Sequence, residues 1–225
     1  MIIAIREKDR ALVACTITDR TDDLTNADYL DPENLPLRFL SNGMLLAFDR
    51  LNRASDVVLY NEEITSILQS DAEFLKKLKK DDPKTDFEKA LIKDSRFISW
   101  FKLRTPDAII KGVIPRMQKA FKESNYSLRK DGCWRNVIIY ADKERIFEID
   151  PFFAFSEISD FTCWGYKIEP IRSVLDITKG QPAEERILRA IEYWGTLHKK
   201  VPYPFVIADT GMQEIKYYHE GGRIE

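Results

Sequence analysis

Cysteine, histidine and glycine are all scarce in this chain of 225 residues, and each shortage removes a class of function. The three cysteines, Cys15, Cys133 and Cys163, are odd in number and show no paired spacing, so neither a disulfide framework nor a zinc-ribbon pattern is available. They read as buried thiols in a reducing compartment, and a cytoplasmic location is expected. Only two histidines occur, His198 at a helix end and His219 in the tail, without a His-Glu-x-x-His or Cys-x-x-Cys pattern, so no transition-metal site is expected. The nine glycines form neither Gly-x-Gly-x-x-Gly nor a Walker pattern, which disfavours a phosphate loop. An excess of one charge is missing too. Lys+Arg at 35 against Asp+Glu at 37 gives a net charge of -2 and a pI near 5.9, with no global pull on phosphate backbones, so nucleic acid is not an expected partner. The longest apolar runs, such as Met44 to Phe48, fall far below the roughly 20 residues of a bilayer span. The opening Met1-Ile2-Ile3-Ala4-Ile5-Arg6-Glu7-Lys8 lacks the features of a secretory signal. A soluble protein, neither exported nor bound to a membrane, is expected.

What the chain does have is material for a core: 44% hydrophobic and 12% aromatic residues, enough to exclude disorder and fibres. Ile2 to Ile5 and Ala11 to Ile17 flank a polar turn and read as a hairpin. Residues 19–34 are an Asp-, Asn- and Thr-rich loop closed by Asp31-Pro32. Leu35 to Leu40 and Met44 to Phe48 flank Ser41-Asn42-Gly43, a turn whose Asn-Gly tolerates positive φ. From Asn52 to about Lys80 the apolar positions recur at mainly helical spacing, and Asp81-Asp82-Pro83 stops them. Residues 85–103 connect to a second long helix, capped by Thr105-Pro106 and kinked by Pro115.

Sheet then resumes. Asn136 to Ala141 and Arg145 to Ile149 flank Asp142-Lys143-Glu144, and Phe152 to Ile158 and Phe161 to Tyr166 supply further short strands. Ile171 to Ile177 reads as a short helix. Pro182-Ala183-Glu184-Glu185 opens another, with Ile187, Leu188, Ile191, Trp194 and Leu197 as its buried face. Phe205 to Ala208 and Gln213 to Tyr218 close the chain as a hairpin around Asp209-Thr210-Gly211. No linker composition and no repeat interrupts the pattern, so one domain over residues 1–225 is expected. Helices in pairs between groups of antiparallel strands predict an α+β fold, two sheets face to face with helices outside.

Two stretches carry a family resemblance. Val137-Ile138-Ile139-Tyr140-Ala141-Asp142-Lys143-Glu144-Arg145-Ile146-Phe147-Glu148-Ile149-Asp150 looks like a hairpin ending in an "E-I-D" strand. The helix from Pro182 to Ile191, followed by Pro204-Phe205-Val206-Ile207-Ala208-Asp209-Thr210, looks like a last helix and strand. In both, the chain resembles the proteasome-type N-terminal-nucleophile (Ntn) hydrolases, and more closely their small bacterial and phage relatives. The resemblance implies a four-layer α-β-β-α sandwich and, in active members, an N-terminal Thr, Ser or Cys that attacks an amide while its own amino group moves the proton.

At the positions that match, the chain departs from that pattern. Met1-Ile2-Ile3-Ala4 stands where the family would read Thr-Thr-Ile-Val or similar, and a thioether cannot attack a carbonyl. Thr16 stands where an Asp is usual, and Leu35 where a Lys lowers the nucleophile's pKa. Cys163-Trp164-Gly165 replaces a Gly-Ser-Gly turn, so that an indole fills space a substrate or oxyanion needs. Four departures at cooperating positions predict a family fold without peptidase activity, serving as an assembly or binding component. The alternative is an active amidohydrolase with a non-standard nucleophile, for which Cys15, Thr16 and Thr18 would qualify only after a cut that deletes the first strand. No residue is assigned a catalytic, cofactor-binding or metal-binding role, and no cofactor is expected. The resemblance implies a homo-oligomer, with Trp100, Phe101, Phe152 and Phe153 as candidate interface aromatics and no ligand specified.

Other motifs have plainer readings. Asp209-Thr210-Gly211 has the letters of an aspartic-protease loop but occurs once, and Asp-x-Gly is a common turn. Asp19, Asp22, Asp23 and Asp28 lack EF-hand spacing and read as a solvated loop. Lys76-Lys77-x-Lys79-Lys80 before Asp81-Asp82 reads as a helix end with cations at its negative pole.

Overall fold

The computed structural model describes residues 1–16, 35–40, 43–49, 53–62, 64–65, 106, 109–125, 136–165, 167–198, 204–219 and 222–224. The first hairpin joins β1 (Ile2–Arg6) to β2 (Ala11–Thr16) with Ile2 opposite Cys15 and Ile5 opposite Leu12. The second joins β3 (Leu37–Phe39) to β4 (Leu45–Phe48). Helix α1 (Arg53–Leu59) follows. A π-helical turn, Ile109–Val113, then runs into α2 (Ile114–Glu123). The strands resume with β5 (Ile138–Ala141), β6 (Ile146–Ile149), β7 (Phe155–Ile158) and β8 (Phe161–Trp164). The chain ends in α3 (Glu169–Ile177), α4 (Ala183–His198), β9 (Phe205–Asp209), β10 (Glu214–His219) and β11 (Gly222–Ile224).

Among the described residues all strand pairs are antiparallel and fall into two sheets, β11-β10-β9-β2-β1-β8 and β3-β4-β5-β6-β7. Strand alternation builds three apolar layers from them. Along β1 and β2, Ile2, Ala4, Ala11, Val13 and Cys15 meet Leu37, Leu45, Ala47, Ile139 and Ile146 of the other sheet. Their neighbours Ile3, Ile5, Leu12 and Ala14 turn the opposite way onto Ile171, Leu175, Ile187 and Ile191 of α3 and α4. On the far side, Phe48, Tyr140, Phe147 and Ile149 pack against Val58 of α1 and Val113, Met117 and Phe121 along the second helical segment. The result is the α-β-β-α order of layers that the sequence predicts.

Element ends differ from the sequence reading in physically simple ways. The expected strands shorten at their ends, where Asn136, Arg145 and Phe152 serve turns or strand entries, and β11 is an addition. Pro115 sits in the first turn of α2 directly after the π-helical turn. A proline cannot donate to the carbonyl four residues back, Lys111, so the ladder changes width there. Leu197 is a correction: it is 48% exposed, and the buried face of α4 instead uses Arg186, Ala190 and Gly195 beside Ile187 and Ile191. His219 ends β10 instead of lying in a tail. The acidic loop, the basic run at Lys76 to Lys80, Cys133, Trp100 and Phe101 lie outside the described residues.

Arg186 is 4% exposed and has its charge answered locally. It donates to Asp160 Oδ1 at 3.2 Å and to the Leu175 carbonyl at 2.8 Å, and its guanidinium lies over the Phe161 ring. Burial alone would push the Asp160 carboxyl up, but hydrogen bonds from Lys179 and Arg186 hold it below its ordinary value.

A polar side-chain pair crosses the interlayer space: the Thr162 hydroxyl of β8 donates to Glu148 Oε2 of β6, and both residues are buried. Thr162→Val keeps the shape and removes the donor, leaving a carboxylate oxygen unsatisfied. It should cost about 1–3 kcal/mol in urea unfolding, and a loss below a few tenths would show the pair to be idle.

Candidate functional site

Local geometry at the start of β1 follows from the first hairpin. Because Ile2 pairs with Cys15, the next step along β2 brings Thr16 beside Met1. Thr16 N donates to the Met1 carbonyl at 3.0 Å, and the Met1 amino nitrogen donates to Thr16 Oγ1 at 2.8 Å. The same nitrogen donates to the Asp49 carbonyl at 3.1 Å, across from the end of β4 in the other sheet. Asp49 is 4% exposed, and its Oδ1 accepts the Val137 N–H at 3.0 Å, so it also fixes the entry to β5. This is a buried amine held by a hydroxyl and a carbonyl. The side chain on the same residue is a thioether that packs with Ile3, Cys163 and Ile168.

On the other flank of β1, Ile2 pairs with Trp164, which places Gly165 against Met1. Gly165 has φ +147, and a Cβ there would lie 3.0 Å from Met1 Cα and 3.2 Å from Met1 Cβ. Trp164 leans into the interlayer cluster that contains Ile2, and its indole nitrogen is buried without a hydrogen-bond partner among the described residues. Leu35 joins that same cluster, 8% exposed. The structure therefore gathers Met1, Thr16, Trp164 and Gly165 at one end of the sandwich and places Leu35 in its interior. The first hairpin and the register of β8 do the gathering.

Solved structures share this architecture. BPH from Thiobacillus denitrificans aligns with a TM-score of 0.55 at 16% identity, over 92% of this chain and 96% of that one. Anbu (ancestral beta-subunit) from Yersinia bercovieri aligns at 0.50 and 14% identity, over 98% and 87%. Eukaryotic HslV from Trypanosoma brucei aligns at 0.50 and 12% identity, over 92% and 97%. The chain has the proteasome-type Ntn-hydrolase fold. No protein-family model matches it. No curated protein sequence matches it either.

Within the Ntn-hydrolase fold, sequence reasoning locates Met1, Thr16 and Trp164-Gly165 but misses Asp49, which supplies an acceptor for the amine. The available signal is an acidic residue directly after the apolar run Met44 to Phe48, a place where a buried strand end needs a polar partner.

The thiols of Cys15 and Cys163 are poorly suited to attack. Cys15 is 1% exposed, its Sγ lies 3.5 Å from the Phe48 carbonyl, and burial pushes the thiol up to about 12. Cys163 is pushed up to about 11, again chiefly by burial. Because the folded values lie above the ordinary 9.0, the stability they contribute is intact below pH 9 and is lost as pH rises toward 11–12. We expect neither thiol to react with iodoacetamide at pH 8 until the chain unfolds, and Cys15→Ala to flatten the alkaline limb of stability against pH. Fast labelling of folded protein at Cys15 would contradict both.

Elsewhere, the Asp209 and Thr210 side chains serve the turn. Asp209 Oδ1 accepts the Gly211 and Met212 N–H groups, and Thr210 Oγ1 accepts Ala11 N–H at 2.8 Å. His198 lies against Trp194, the rings tilted by 43° with centroids 4.3 Å apart. Among the described residues no group of three or more His, Cys, Asp or Glu side chains is placed to hold a metal ion, and no helix is long and apolar enough to cross a membrane.

Proposed function

We propose that this chain is a proteasome-like Ntn-fold protein without peptidase activity that acts as an assembly or binding component, as a single domain in the cytoplasm. The observation that carries the reading is the site at the start of β1: a buried amine with hydrogen-bond partners, attached to a thioether. Ntn chemistry needs the base and the nucleophile on one residue, and Met1 supplies only the amine. Thr16 offers a neutral hydroxyl where a carboxylate would orient a cation, and Leu35 offers no positive charge. Intact-mass analysis of the purified protein, with a peptide vinyl sulfone and an amide-substrate library, tests this. The expected result is a mass that retains Met1, no covalent adduct and no turnover. A mature chain beginning at an internal Thr, Ser or Cys and acylated there would establish the alternative, an amidohydrolase with a non-standard nucleophile.

As an assembly component the chain forms a homo-oligomer, independent of nucleic acid and membrane. Of the candidate interface aromatics, Phe153 turns inward onto Phe121, while Phe152 is 62% exposed at the tip of the β6–β7 turn. Two hydrogen bonds to Asp150 Oδ1, both 2.8 Å, hold that tip in shape. Light scattering after gel filtration should give a multimer at micromolar concentration, reduced in size by Phe152→Asp. A strict monomer would remove the oligomer reading while leaving the inactivity reading intact.

A further inference from the structure

We propose that the side chain of Trp164 is a built-in occupant of the pocket beside the start of β1, seated there for its flat shape and not for its indole N–H. With that ring removed, the space it fills would take flat aromatic molecules. Three observations converge. Trp164 pairs with Ile2, whose side chain faces the interlayer space, and the indole packs against the same interlayer cluster. Its N–H is buried with no acceptor among the described residues, although a buried tryptophan usually satisfies that group. Gly165 then draws the backbone onto Met1 so closely that a Cβ would meet Met1 Cα at 3.0 Å, so the residue that carries the ring is held directly beside Met1. A ring whose N–H meets no acceptor among the described residues is placed by its shape, packed on the interlayer cluster.

The inference deepens the reading of this end of the sandwich as the site, and its test does not depend on turnover. Thermal unfolding of wild type and Trp164→Ala is followed by circular dichroism with and without indole, and with benzofuran, which has the same shape but no N–H. Trp164→Ala should melt lower than wild type. At ten times the dissociation constant, either compound should raise its midpoint by about 3–6 °C, with no shift in wild type. Benzofuran should act at least as well as indole. A folded Trp164→Ala that responds to neither compound, or to indole alone, would overturn the proposal. Should Trp164→Ala not fold, Trp164→Phe keeps a flat ring without the N–H and should melt within about 5 °C of wild type. A Trp164→Phe chain that also fails to fold would overturn it. Peptidase activity found in wild type would refute the proposed function and leave these melting shifts unaffected.

Discussion

Asp209→Ala should destabilise the protein by about 3 kcal/mol in urea unfolding, with no change in any activity or adduct formation. Asp209 is 1% exposed at the end of β9, and each carboxylate oxygen is engaged. Oδ1 accepts the Gly211 N–H at 2.8 Å and the Met212 N–H at 3.2 Å, which closes the β9–β10 turn. Oδ2 accepts Arg10 at 2.8 Å, and Arg10 in turn meets Glu7 at 2.6 Å. Glu7 accepts the first N–H of α4 at Ala183, so the chain Asp209–Arg10–Glu7 couples the last hairpin, the first hairpin and a helix start. Alanine would leave the Gly211 and Met212 N–H groups without their acceptor and Arg10 with Glu7 alone.

Asp209→Asn separates the parts of this effect. It keeps an oxygen for the two N–H groups but turns an amide NH2, a donor, toward Arg10, whose side chain is 34% exposed and can turn to solvent and Glu7. A loss of about 1 kcal/mol or less is expected for that variant. If both substitutions cost little stability but abolished an activity, the turn reading of Asp209-Thr210-Gly211 would have to yield to a catalytic one.

How much of this is legible in the sequence depends on the range of the interaction involved. Strand alternation is local, so the order of residues by itself sets Ile2 and Ala4 on one face and Ile3 and Ile5 on the other, and both faces are buried as such a pattern in a layered fold requires. Helix faces are also local but are decided by what covers them. Leu197 fits the apolar periodicity of α4 and yet is half exposed, while Arg186, whose charge argues for solvent, lies on the buried stripe with Ala183, Ile187 and Ala190 because Asp160 and the Leu175 carbonyl await it. Pairwise contacts across the sandwich are not legible at all. Asp49 meets Met1 from 48 residues away, and Thr162 finds Glu148 through two different sheets. The candidate site is readable only where the resemblance supplies positions. Met1, Thr16 and Trp164-Gly165 come together because antiparallel register on both sides of β1 leaves them no other place.

Register alone does not explain how closely the two chain segments approach at that point, and Gly165 does. Gly165→Ala should cost about 2–4 kcal/mol, against about 1 kcal/mol for Gly180→Ala. Both glycines have positive φ, +147 and +93, so both substitutions carry a conformational penalty. They differ in surroundings. Nothing lies within 4 Å of a Cβ built on Gly180, whereas one on Gly165 lies 3.0 Å from Met1 Cα and 3.2 Å from Met1 Cβ. The excess of the first loss over the second therefore measures the close approach of β8 to Met1. Because the obstacle is backbone and not the tip of a flexible side chain, relaxation must move β1 or β8. Movement of β1 would also lengthen the hydrogen bonds from the Met1 amine to Thr16 and Asp49. Amide hydrogen exchange should then show Thr16, which donates to the Met1 carbonyl, less protected in Gly165→Ala and unchanged in Gly180→Ala. Equal losses in the two variants, with Thr16 protection untouched in both, would mean that the end of β1 accommodates a methyl group and that the Met1 site is looser than its geometry indicates.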